Sequence, residues 1–159
     1  HDGAACVRTL RGHSSSLSSV AFSPKDPDLL ATGSHDKTAR LWRVHDGRCL
    51  RTLRHNGTVS SLAFSPHDPD VLATGAHDNS ARLWRVNDGT VTHLYQANSS
   101  VHSVAFSPHL PGPCGDPDPV ALATGLEDKT ARLWGKNRVH TLKGHTNVVS
   151  SVAFTTAVL

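Results

Sequence analysis

One stretch occurs three times: LATGSHDKTARLWRV from Leu30 to Val44, LATGAHDNSARLWRV from Leu72 to Val86, and LATGLEDKTARLWGK from Leu122 to Lys136. A chain built this way folds as stacked units, because each unit must bury the same faces against its neighbours. Trp42 to Trp84 spans 42 residues, as do Phe22 to Phe64 and Phe64 to Phe106. Trp84 to Trp134 spans 50, because LPGPCGDPDP lengthens one loop by eight. Phe106 to Phe154 spans 48, since the turn after Trp134 is two residues shorter.

Within a unit the pattern predicts four short strands. In the first they are SSVAFSP, DLLATGS, TARLWRV and RCLRTLR, separated by the turns KDPD, HDK and HDG. Short strands at this even spacing indicate an all-β fold, and no stretch carries a helical period. A four-stranded sheet cannot stand alone in water. Stacking such sheets radially buries each face against the next. Val20, Phe22, Leu30, Leu41, Trp42 and their equivalents are expected to supply that packing.

The chain resembles the WD-repeat β-propeller family. Gly12-His13, Gly144-His145, the AFSP turns at Phe22, Phe64 and Phe106, and the D-x-T/S-x-R-L-W pattern around Asp36, Asp78 and Asp128 carry the resemblance. It implies a partial β-propeller of four-stranded antiparallel blades, an open arc of a larger ring. The expected organisation is an outer strand of a preceding blade at 1–12, blades at 13–54, 55–96 and 97–144, and the start of a truncated blade at 145–159. The third blade holds a Pro-rich insertion at 110–119, a second candidate surface. The expected lone strands are Cys6 to Leu10 and Val148 to Phe154. The sequence departs from the family pattern in places. Arg43, Arg85 and Gly135 follow the tryptophans, Arg54-His55 and Gln96-Ala97 replace Gly-His, and Thr155-Thr156 replace Ser-Pro.

Composition narrows the function classes. No apolar run approaches 18 residues, which argues against a membrane-spanning helix. The chain begins HDGAAC, holds no Met and is read as a fragment of a longer protein, with no signal peptide in view. Its net charge is +3, but the 16 basic residues are scattered among 13 acidic ones, so nucleic acid is not an expected partner. Cys6 and Cys49 hold the same place in successive repeats, too far apart for a bridge, and Cys114 stands alone. Free thiols suit an intracellular setting, cytoplasmic or nuclear.

Each unit brings together a His, a hydroxyl, an Asp and a Trp. These are His13, Thr32, Asp36 and Trp42, then His55, Thr74, Asp78 and Trp84, then Thr124, Asp128 and Trp134, with Ala97 at the His position. Hydroxyl, His and Asp together are the ingredients of nucleophilic catalysis. The resemblance implies a structural reading instead, a buried hydrogen-bond chain that ties the strands of a blade. Repetition favours it too, because a catalytic site does not need a copy per repeat. The histidines lack metal-ligand spacing, and Gly33, Gly75 and Gly125 are strand-end glycines rather than a phosphate loop. No cofactor, metal or catalytic residue is expected. Arg40, Arg82 and Arg132 are expected on outward strand faces, solvated or in salt bridges.

Function in such a chain belongs to its loops. The resemblance implies partner contacts at Ser16, Ser18, His35 and Lys37 in the first unit. It implies Thr58, Ser60, His77 and Asn79 in the second, and Ser100, His102, Glu127 and Lys129 in the third. Val148 and Ser150 are the counterparts in the partial fourth. The expected role is a non-catalytic scaffold that binds proteins or peptides and requires the remaining blades of its own propeller. The alternative is a regulatory or sensor propeller attached to a kinase or NTPase domain.

Overall fold

A computed structural model describes residues 3–108 and 122–155. The insertion at 110–119, with Cys114, lies outside the described residues. Twelve strands follow one another among the described residues: β1 (Leu17–Phe22), β2 (Leu29–Ser34), β3 (Thr38–Arg43), β4 (Cys49–Arg54), β5 (Val59–Phe64), β6 (Val71–Ala76), β7 (Ser80–Arg85), β8 (Val91–Gln96), β9 (Val101–Phe106), β10 (Leu122–Leu126), β11 (Ala131–Trp134) and β12 (Val139–Leu142). They form three four-stranded antiparallel sheets, each with its strands in sequence order. No helix in the described residues is long and apolar enough to cross a membrane.

The repeated LATG segment explains its own composition. It forms β2, β6 and β10, each the second strand of its sheet, and β2 and β10 are buried along their whole length. Strands covered on both faces read as continuous small and apolar residues rather than as alternation. The outer strands β8 and β12 are almost wholly exposed and mix polar residues with apolar ones such as Val91, Leu94, Val139 and Leu142. The third sheet is the shortest, with β11 and β12 of 4 residues each against 6 in β3 and β4. Its last hairpin closes from Gly135 N–H to Arg138 O at 2.9 Å, where the first sheet closes from Arg43 to Arg48.

The cores lie between sheets rather than within one. Leu29, Ala31, Ala39, Leu41 and Leu53 of the first sheet pack on Val59, Leu62, Phe64 and Leu72 of the second. Ala73, Ala81 and Leu83 of the second pack on Val101, Val104, Leu122 and Leu126 of the third. The inner strand of each sheet lies on the sheet before it, β5 against β1 and β2, β9 against β5 and β6. Glycine sets how closely they approach. A Cβ built on Gly33 would lie 2.9 Å from Val59 Cγ1, and one on Gly75 would lie 2.6 Å from Val101 Cγ1. Both distances are below van der Waals contact, so only glycine fits.

Two expectations are corrected. Val20 and Phe22 do not pack: they are 62% and 61% exposed, whereas their equivalents Leu62 and Phe64 are 6% and 9% exposed. The residue type is unchanged in kind; the first sheet lacks a preceding sheet to cover it. The lone strands also fail to form, since Cys6 to Leu10 and Val148 to Phe154 carry no ladder. A strand is defined by its partner, and these segments have none. Their side chains still occupy the positions a blade would give them. Arg8 and Leu10 approach Gly47 as Arg51 and Leu53 approach Gly89. Val149 is buried, donates its N–H to Leu126 O at 3.0 Å, and would meet a Cβ on Gly125 through its carbonyl oxygen.

The cost of the same truncation should therefore depend on the sheet. Phe64→Ala should destabilise by about 3 kcal/mol or more, the range for a buried aromatic, and Phe22→Ala by under about 1 kcal/mol. Denaturant melts of the two variants measure this. Equal costs would show that the face of β1 is covered.

Candidate functional site

The polar chain of the first sheet runs across β2 and β3, the turn between them and the loop before β1. Trp42 Nε1–H donates to Thr32 Oγ1 at 2.8 Å, and Thr32 Oγ1 shares a 2.7 Å hydrogen bond with His13 Nε2. His13 Nδ1 lies 2.7 Å from Asp36 Oδ2. An ionised carboxylate only accepts, so Nδ1 carries the proton. Asp36 also takes the backbone N–H of Ser14 at 3.1 Å, the N–H of Thr38 at 3.0 Å and the hydroxyl of Thr38 at 2.6 Å. Burial opposes its ionisation. The hydrogen bonds from Thr38, His13 and Ser14 outweigh burial and hold its pKa well below the usual carboxylate range.

The second sheet wires the same residues differently. Trp84 Nε1–H donates to Thr74 Oγ1 at 2.8 Å, and His55 Nε2 meets Thr74 Oγ1 at 2.8 Å. His55 Nδ1, however, is buried without a partner. Arg82 has taken its carboxylate, with Nη2 on Asp78 Oδ2 at 2.8 Å. The cause lies one residue before the histidine. Gly12 leaves room for Arg40, whose guanidinium lies 5.8 Å from the centre of the Trp42 ring. A Cβ at Gly12 would stand 2.3 Å from Arg40 Nη1. In the second sheet Arg54 occupies that place, so Arg82 turns to Asp78 and to the Arg54 carbonyl at 3.3 Å. The third sheet has Ala97 instead of His. Trp134 donates to Thr124 at 2.9 Å, and Arg132 reaches Asp128 at 3.1 Å. The three arginines are thus partly buried, a correction to the outward placement. Arg82 and Arg132 are ion-paired, and Arg40 sits over an indole.

The loops at this end of the strands carry the candidate contacts. Lys37, Asn79 and Lys129 all adopt left-handed backbone conformations, φ between 66° and 69°. Such conformations are uncommon for residues other than glycine. The preceding aspartates hold them, each bonding the hydroxyl of Thr38, Ser80 or Thr130. His35, Lys37, His77, Glu127 and Lys129 are exposed, and Asn79 is half-buried. Ser16, Thr58 and Ser100 use their carbonyls to accept the N–H of His35, His77 and Glu127, which fixes the turns. Ser18 and Ser60 are spent between sheets, their hydroxyls donating to the carbonyls of Val59 and Val101. Where those serines stand, the third sheet has His102, whose ring lies 4.9 Å from that of His77. Val148 and Ser150 are exposed. Sequence reasoning missed the His77–His102 contact, because the two histidines hold different positions in successive repeats. Burial, and then His102, lower the His77 pKa from its ordinary value, with Glu127 opposing.

Three sheets face-packed in series, each with an indole bonded to a threonine inside it, define a repeat-built β-propeller segment. The WD domain, G-beta repeat family matches residues 4–43, 47–85 and 89–135, and the chain belongs to it. The nuclear distribution protein PAC1 of Candida tropicalis is 46% identical over 46 residues, 29% of this chain and 9% of that protein. The ribosome biogenesis protein BOP1 homolog of Brugia malayi is 46% identical over 41 residues, 26% of this chain and 6% of that protein. A chain in the crystal structure of the mitotic checkpoint complex superposes with a TM-score of 0.79 over 91% of this chain and 44% of its own length, at 24% identity. That likeness is one of fold. The chain spans under a tenth of the length of both curated relatives.

The rewiring predicts a pH signature. Burial, then the Arg82 charge, depress His55 from 6.5 to about 4 in the folded state. Between those values the unfolded chain binds the extra proton, so stability is full above pH 6.5 and falls as pH drops toward 4. The contribution is about 3 kcal/mol. His55→Gln should remove most of that slope in melts from pH 7 to pH 4. Arg54→Gly should restore the His55–Asp78 bond and raise the His55 pKa, read by NMR titration. A wild-type His55 titrating near 6.5 would contradict the account.

Proposed function

We propose that the chain is a non-catalytic scaffold that docks proteins or peptides on the loops at the His13 and Asp36 end of its strands. WD-repeat propellers mediate protein–protein interaction, and the site chemistry fits that role. The observation that carries the reading is the set of left-handed turns at Lys37, Asn79 and Lys129. They recur at one register in three sheets and present exposed or half-buried polar side chains on one edge. Strained conformations persist where surrounding structure over-determines them, and they cluster at binding sites.

The hydroxyl, His and Asp sets support a structural role. Thr32 and Thr74 are buried, and each hydroxyl accepts an indole N–H. A nucleophile needs a substrate at its oxygen, and these oxygens are enclosed. The satisfied polar chain of the first sheet stiffens the sheet that carries its loop. The free Cys6 and Cys49 thiols support an intracellular setting. The uncovered apolar face of β1 supports the requirement for further blades.

Charge reversal tests the reading. Lys37→Glu with Lys129→Glu should cut the affinity of an identified partner about tenfold or more, through lost complementarity and repulsion, with no change in melting temperature. Calorimetric titration of that partner measures it. Unchanged affinity would move the docking surface elsewhere.

A further inference from the structure

The opposite end of the strands carries a second site. A cleft of about 430 Å³ opens between the first and second sheets, beside the turn that joins β3 to β4. Arg43, Arg48 and Arg51 line it, against the single carboxylate of Asp26. We propose that this cleft binds a phosphate group carried on a side chain of a partner protein. The proposal rests on the scaffold reading, and names a second contact for it.

Charge and unused donors point to phosphate. The lining holds Arg43, Arg48 and Arg51 with Asp26, while Asp46 neighbours Arg43 and Asp88 lies in the field of Arg51. A phosphomonoester brings about −2 and three acceptor oxygens to such guanidiniums, more charge and more acceptors than a carboxylate. The guanidiniums retain donors. Arg51 uses Nη1 on Leu50 O at 3.0 Å and Nη2 on Asn87 O at 2.8 Å, which anchors it across the boundary between the sheets. That leaves N–H groups of its five still free. The Arg48 guanidinium makes no hydrogen bond or ion pair among the described residues. Arg43 meets Asp46 at 3.7 Å, a contact about 40% exposed on both sides and therefore weak. Asp26 has one oxygen occupied by the N–H of Asp28 at 2.9 Å. Arg43 and Arg48 are thus open to a forked acceptor, and Arg51 is rigidly placed beside them.

The fold itself does not demand this charge. Trp42 pairs with Cys49 as Trp84 pairs with Val91, so the register is fixed. At that register Arg48 becomes Thr90 and Arg51 becomes His93 in the second sheet, and only Arg43 keeps its counterpart, Arg85. The second sheet forms the same hairpin without the arginines. The volume also exceeds that of a bare oxyanion, which leaves room for the side chain that bears it.

NMR titration of the full protein carrying these blades tests the proposal, with sodium phosphate against sodium chloride at matched ionic strength. A Gly-Gly-phosphoserine-Gly-Gly peptide and its unphosphorylated twin follow. The amides of Arg48, Cys49 and Asn87 should shift saturably with phosphate and with the phosphopeptide, and not with chloride or the twin. Arg48→Ala should weaken binding of the phosphopeptide about tenfold or more, and Arg85→Ala should leave it unchanged. Shifts with neither probe, or binding indifferent to Arg48→Ala, would overturn the site. Binding of the ion without the phosphopeptide would overturn the protein-borne source. The charge reversals at Lys37 and Lys129 lie at the other end of the strands. Their failure would remove the loop reading and leave phosphopeptide binding in the cleft intact.

Discussion

The approach of a valine to a glycine of the preceding sheet sets the spacing on which everything else depends. Val59 meets Gly33, Val101 meets Gly75, and Val149 meets Gly125. The sheets stand close enough that their small residues, Ala31, Ala39, Ala73 and Ala81, are fully or almost fully buried. At that distance Ser18 and Ser60 reach the next sheet's carbonyls, and the apolar face of one sheet fills the hollows of another. Dispersion falls steeply with separation, so a wider gap would forfeit much of this attraction.

The repeat made much of this legible. A period of 42 residues with short strands gives the number of sheets and the order of strands, because the small, apolar LATG strand reads differently from the strands that flank it. Burial was less legible, since it belongs to a pair of sheets and not to a residue. Phe22 and Phe64 share the same local sequence, and only one is covered. The lone segments at Cys6 to Leu10 and Val148 to Phe154 show the same limit, because a ladder needs a second strand that local sequence does not announce.

The candidate site was legible in its members and not in its wiring. Thr32, Asp36 and Trp42 could be named from the repeated stretch. That Arg82 takes Asp78 away from His55 follows from a side chain at Arg54, where the first sheet has Gly12. The substitution was visible in the sequence, but its consequence required knowing that Arg40 occupies the space above Gly12. The positive cleft escaped notice for a related reason. Arg43 ends β3, Arg48 lies in the turn and Arg51 on β4, and Arg51 is tied to a carbonyl of the next sheet, Asn87 O. The two ends of the strands thus differ, with left-handed turns at residues other than glycine at one and the unbonded Arg48 guanidinium, among the described residues, at the other.

A double-mutant cycle at Gly75 and Val101 tests the central constraint most directly. Gly75→Ala places a methyl group where Val101 Cγ1 stands, 2.6 Å away, and overpacking of this sort costs about 1–3 kcal/mol. Val101→Ala removes the nearer obstruction and leaves Val104 Cγ1 at 2.9 Å, so the relief is partial. The account predicts that the two changes are non-additive in denaturant melts, with the double variant recovering about 1 kcal/mol or more of the Gly75→Ala cost. Strict additivity would show that the glycine and the valine do not set the spacing of the sheets.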